Sequence, residues 1–152
     1  MNKFKALLML ALCTTLFFSC KKKEEAPKTE SGKNVKLTFT VTGVNPAEVD
    51  AVSFTAVGLN NANAKTVWKV NGAVKNNEQA ISLGENDFTG TTKTYVVEST
   101  TPLDVIDVSI QCINFGSNFK VSYKAEIDGK VVNSDQDVTV ALNKDYTHQF
   151  TY

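Results

Sequence analysis

The sequence predicts an all-β fold, an antiparallel β-sandwich of eight to ten strands, on three observations. Beyond Asn34, apolar and polar residues alternate with a period of two through most of the chain. The alternating runs are short and are separated by Gly, Asn and Asp residues suited to turns. No 3.6-residue apolar period survives over a useful length, which removes helical bundles and βαβ folds.

The elements follow in order. Val35, Leu37, Phe39 and Val41 alternate with Lys36, Thr38, Thr40 and Thr42, the pattern of a half-buried antiparallel strand. Asn45-Pro46-Ala47-Glu48 offers an Asn cap and a proline at the first position, enough for a single helical turn. Period two returns with Val52, Phe54 and Ala56. Further strands are predicted over Thr66–Val70, Gln79–Leu83, Lys93–Glu98 and Asp104–Ile113. Phe119 to Ile127 alternates again, and Asp128-Gly129 is a tight hairpin signal leading into Lys130–Asn133. Asp135-Gln136-Asp137 and Glu85-Asn86-Asp87 read as turns. Val138, Val140 and Leu142, a turn at Asn143-Lys144-Asp145, and His148, Phe150 and Tyr152 close the chain.

The 118 residues from Val35 to Tyr152 are enough for one domain with a substantial core. Regular spacing of short strands favours a sandwich over a small barrel. Trp68 resembles the core tryptophan of immunoglobulin-like domains; without the paired cysteines of that family, the resemblance is one of architecture.

The first residues have a different character. Asn2-Lys3-Phe4-Lys5 is positively charged, and Ala6 to Ser19 is 14 residues without a charge. As a helix that stretch spans roughly 21 Å, short of the ~30 Å hydrocarbon core of a bilayer. A basic start, a short apolar stretch and a small residue before a break form the secretory signal pattern. Leu16-Phe17-Phe18-Ser19-Cys20 resembles the lipobox of bacterial lipoproteins. The resemblance implies cleavage between Ser19 and Cys20, diacylglycerol on the Cys20 thiol and an acyl group on the new amino terminus, a membrane anchor. Residues 1–19 are then a signal peptide, 20–34 a lipidated tether and 35–152 the sandwich domain. The 15 tether residues include no aromatic or β-branched aliphatic side chain and cannot bury enough surface to order themselves. As a flexible coil they span roughly 20–23 Å, and about 50 Å when fully extended. Lys23-Glu24-Glu25 resembles the surface-export signals of Bacteroidota lipoproteins, which implies display on the outer face of the outer membrane; the alternative is the periplasmic face.

Composition excludes several classes of function. Sixteen lysines, no arginine and 16 acids give zero net charge, unlike the arginine-rich basic excess of nucleic-acid binders. The single histidine, His148, shares a strand face with Tyr146, Phe150 and Tyr152, a packed or rim position rather than that of a catalytic base. One His and one leftover Cys fall short of a zinc ligand set, and the eight glycines are scattered over turns rather than gathered in a phosphate loop. Cys112 falls within the alternation Ile106, Val108, Ile110 and reads as an inert core thiol. Asp104 and Asp107 lie on opposite faces of one strand, an unsuitable arrangement for paired-carboxylate glycoside hydrolysis.

No cofactor or metal is expected and no catalytic residue is assigned. Asn60-Asn61-Ala62-Asn63 and Asn114-Phe115-Gly116-Ser117-Asn118 are polar loops of the kind that contact partners, with Phe115 the candidate contact residue. The expectation is a non-enzymatic, outer-membrane-anchored module that binds or scaffolds an envelope protein. The alternatives are an adhesin or fimbrillin-like surface subunit, and a glycan-binding lipoprotein that would use Trp68.

Overall fold

Residues 32–45, 47, 48 and 50–152 are described by a computed structural model. The signal peptide, Cys20 and nearly all of the tether lie outside the described residues. Ten strands and one helical turn follow one another: β1 (Val35–Thr42), β2 (Ala51–Leu59), β3 (Trp68–Val70), β4 (Ala73–Lys75), β5 (Ala80–Leu83), α1 (Glu85–Phe88), β6 (Thr92–Ser99), β7 (Val105–Ile113), β8 (Phe119–Ile127), β9 (Lys130–Val140) and β10 (Tyr146–Thr151). They form two sheets, ordered β4-β3-β6-β1-β8-β9 and β10-β7-β2-β5. Every strand pair is antiparallel. The chain is thus the antiparallel β-sandwich that the period-two pattern predicts.

The alternation places one side of each long strand in the core. Leu37, Phe39 and Val41 from β1 and Phe119, Val121 and Tyr123 from β8 face Val52, Phe54 and Ala56 from β2 and Ile106, Val108, Ile110 and Cys112 from β7. Phe39 stacks on Phe54 with ring centroids 5.2 Å apart, and Phe88 meets Phe39 edge-on at 5.3 Å. These offset and edge geometries suit the ring quadrupoles and fix how the sheets lie together. On the solvent side of the larger sheet, Thr40 and Thr94 hydroxyls lie 2.9 Å apart, and Lys69–Glu98 and Lys124–Glu126 pair at 3.5 and 3.0 Å. Half-exposed pairs of this kind add modest stability at most.

Gly58 shows why one position in β2 carries no side chain. A β-carbon there would sit 2.6 Å from the Trp68 ring and 2.7 Å from Leu103 Cδ1. The missing Cβ is what lets the indole lie flat against the strand. Trp68 is fully buried, and its Nε1–H donates to the Gln79 carbonyl at 3.1 Å. It is a core residue, so it offers no stacking surface to a glycan.

Four local expectations need correction. β4 is unforeseen: its three residues are exposed or half-buried, so no alternation marks it. It forms because Asn71 and Gly72 both take positive φ, 48° and 82°, closing a two-residue hairpin from β3. Asp135-Gln136-Asp137 is part of β9, not a turn. The β8–β9 register jumps from Val121↔Val138 to Tyr123↔Asp135, a bulge with Asp137 at φ 49°, and shifts again between Ala125 and Glu126. The bulges twist an 11-residue edge strand, which discourages pairing with another chain. Glu85-Asn86-Asp87 opens the helical turn α1. The last strand before β10 stops at Val140, and Leu142 sits in a turn closed by Ala141 and Lys144, with Asn143 at φ 63°. Ladder pairing also starts earlier than the tether boundary: Lys33 exchanges backbone bonds with Leu103 at 2.8 and 3.0 Å, and the Asn34 amide donates to Asp128 at 2.9 Å.

Candidate functional site

Strand direction gives the domain two distinct ends. The chain enters β1 at Val35, beside Ser99 and Ile127, and leaves at Thr42, beside Thr92 and Lys120. Eight residues at ~3.3 Å each carry it about 26 Å. The far end, opposite the tether, gathers the β1–β2 connection around Asn45 to Asp50, the β7–β8 loop Asn114–Asn118 and the β9–β10 turn. The Asn60–Asn63 loop follows β2 and lies at the tether end, where the Asn61 amide donates to Asp104 at 2.7 Å. The two polar loops singled out from sequence therefore do not meet.

The far-end loops are bound to each other. Asn114 is buried; its Nδ2 donates to the Ser117 carbonyl at 2.6 Å and to the Val140 carbonyl at 3.3 Å, and its Oδ1 accepts from the Gly116 amide at 3.0 Å. The Phe115 amide donates to Asp50 Oδ1 at 3.0 Å. Glu48 accepts from both the Ser117 amide and, at 2.7 Å, the Ser117 hydroxyl, while Asn45 Nδ2 donates to it at 2.9 Å. These donors, the Ser117 amide foremost, hold the Glu48 carboxyl below its ordinary pKa. A β-carbon at Gly116 would run into that carboxylate, so a side chain there would push Glu48 out of its present place.

The clamp leaves two large apolar side chains outside. Phe115 is 63% exposed, and Leu142, on the neighbouring turn, is 62% exposed. A loop held by side-chain and backbone bonds at Phe115, Gly116 and Ser117 presents its phenyl ring with little ordering left to do on binding, which favours affinity. Sequence reading found Phe115 but missed Leu142, Glu48 and Asp50. Leu142 extends the alternation of β9 and so passes for a core residue, and Glu48 and Asp50 act through partners 69 and 65 residues away, respectively.

The other candidates are committed elsewhere. Cys112 is the free cysteine of the described residues and is buried; desolvation pushes its thiol up to about 12, consistent with an inert core group. His148 is exposed on β10 between Tyr146 at 4.4 Å and Phe150 at 5.6 Å, part of a row of rings ending at Tyr152. That row bonds the opposite sheet: Tyr146 Oη donates to Asp135 at 2.6 Å and Tyr152 Oη to Asn133 at 2.9 Å. Burial, and then Asp135, raise the Tyr146 pKa well above its usual value. Asp107 accepts from Thr151 at 2.7 Å, and Asp87 accepts from the Gly84 amide at 2.8 Å. Among the described residues no group of three or more His, Cys, Asp or Glu side chains lies together as a metal cluster. Among the same residues no helix is long and apolar enough to cross a membrane. Ser19, Cys20, Lys23, Glu24 and Glu25 lie outside the described residues.

Fold and loop end together define a β-sandwich domain with one consolidated, apolar-tipped end. No family model matches the sequence, and no curated protein matches it. Solved structures do share the fold. A DUF4425 family protein from Bacteroides ovatus is 14% identical with a TM-score of 0.54, over 80% of this chain and 95% of the other. A Parabacteroides distasonis protein, solved by NMR in a calcium-bound form, is 12% identical with a TM-score of 0.56, over 84% and 98%. A domain of unknown function, DUF4425, from Bacteroides vulgatus is 13% identical with a TM-score of 0.50, over 81% and 94%. At these identities the likeness is one of fold.

Proposed function

We propose that the chain is an outer-membrane lipoprotein, anchored by lipid on Cys20, whose immunoglobulin-like sandwich is a non-enzymatic binding or scaffolding module of the cell envelope. The observation that carries this reading is the polarity of the domain. The segment following Cys20 joins β1 at one end, and the exposed Phe115 and Leu142 project about 26 Å away at the other. A membrane-tethered domain so arranged can present its apolar tip to a neighbouring envelope protein, at the end away from its own lipid. Lys23-Glu24-Glu25 supports placement on the outer face. The burial of Trp68 takes away the residue on which a glycan-binding alternative rests.

Affinity purification of the full lipoprotein in gentle detergent, wild type beside a Phe115→Ser/Leu142→Ser variant, tests the reading. Both side chains are mostly solvent-exposed, so the variant should keep its circular dichroism spectrum and lose at most about 0.5 kcal/mol per site. A reproducible envelope partner should be retained by wild type and reduced at least tenfold with the variant. The same partner retained equally by both proteins would place the interface elsewhere.

A further inference from the structure

Asp50 immediately precedes β2 and is only 2% exposed. Its Oδ1 accepts the Phe115 amide at 3.0 Å, while no donor among the described residues reaches its Oδ2. The ion pairs of the described residues, Lys69–Glu98 and Lys124–Glu126, do not involve it. A carboxylate taken out of water with one oxygen unmet is costly, and a donor or a cation must come from solvent to offset that cost.

Two facts favour a cation. The Asp50 carboxylate faces the Asn114–Ser117 loop, since it bonds Phe115, and a second carboxylate from the same connection, Glu48, bonds that loop two residues further on at Ser117. The acceptors gathered there are hard oxygens: two carboxylates, the Asn114 side-chain carbonyl and the Ser117 carbonyl, each with a hydrogen-bond donor except Asp50 Oδ2, which is left for the ion. Imidazole and thiolate, which would suit zinc or copper, are not among them. Irregular loop oxygens suit calcium, which accepts variable geometry, better than magnesium, which demands a near-ideal octahedron.

We propose that Asp50 and Glu48, with oxygens of the Asn114–Ser117 loop, form a calcium site at the root of the exposed tip. With only two carboxylates to supply charge, the affinity falls in the weak range of ~0.1–1 mM met by extracellular calcium modules. A bound ion would cross-link the β1–β2 and β7–β8 connections and so fix Phe115. The site does not depend on the partner-binding reading.

The test is a calcium titration of the full chain in mild detergent after chelator treatment, with magnesium and sodium chloride as controls. Thermal unfolding and the backbone amide shifts of Phe115, Gly116 and Ser117 are followed. Calcium at about 10 mM should raise Tm by about 4 °C and move those three amides, with half-saturation near 1 mM. Asp50→Asn, whose amide oxygen still accepts from Phe115, should lose both responses. If that variant does not fold, Glu48→Gln should need at least fivefold more calcium for the same response. Unchanged Tm and amides, an equal effect of magnesium or sodium, or variants that respond as wild type does would overturn the site.

Discussion

Trp68→Ala is expected to destabilise the domain by about 3–5 kcal/mol, the range for emptying a large aromatic site in a packed core. The indole is fully buried against Gly58 and Leu103, and the space it vacates is bounded by strand backbone that cannot close in. The Gln79 carbonyl loses its indole donor as well, adding about 1 kcal/mol. Against a typical total of about 5–15 kcal/mol, the variant should be largely unfolded at 37 °C or close to it. Trp68→Phe keeps most of the ring volume and should cost roughly half as much. Urea unfolding of a chain beginning at Gly32 measures both. A loss under about 1 kcal/mol for the alanine variant would mean that the indole does not organise the core.

Cys20→Ala should have the second large effect, on location rather than stability. Without the thiol there is no lipid attachment, and the precursor should remain uncleaved after Ser19. Each buried CH₂ of an acyl chain contributes ~0.8 kcal/mol, so two or more chains hold a protein at a membrane while none leaves only the uncleaved leader. Metabolic labelling with fatty acid should give a labelled band for wild type and none for the variant. Label persisting on Cys20→Ala would end the lipoprotein reading. The fold should not register the change, because the ladder pairing among the described residues starts at Lys33, beyond a polar stretch.

How far the sequence alone reaches can be seen element by element. Strands β1, β2, β7 and β8 were legible because each buries one face, and burial writes a period of two into eight or nine consecutive residues. β4 buries almost nothing and left no such trace, although its Asn71-Gly72 turn is a hairpin signal. The acids of Asp135-Gln136-Asp137 suggested a turn, whereas the chain uses them in bulges where a positive φ is needed at Asp137. In the candidate site only Phe115 stood out, as an aromatic in a polar loop. Glu48 and Asp50 carry no local mark, since their significance comes from hydrogen bonds to residues 115 and 117, which strand pairing brings close. Local patterns record burial; contacts between distant loops are recorded only in the fold.

If a lipid-anchored sandwich offers its tether-distal end to an envelope partner, that end should crosslink to the partner. Photo-crosslinking in intact cells tests it directly, with a photoreactive amino acid placed at Phe115 or, as a control, at Val131. Val131 is 56% exposed on β9 near the end at which the tether enters. A discrete adduct is expected from position 115, none of that mass from position 131, and loss of the adduct when Cys20 is also replaced by alanine. An adduct from 131 but not from 115, or one from 115 that persists without Cys20, would rule out a lipid-anchored module that binds through its tether-distal end.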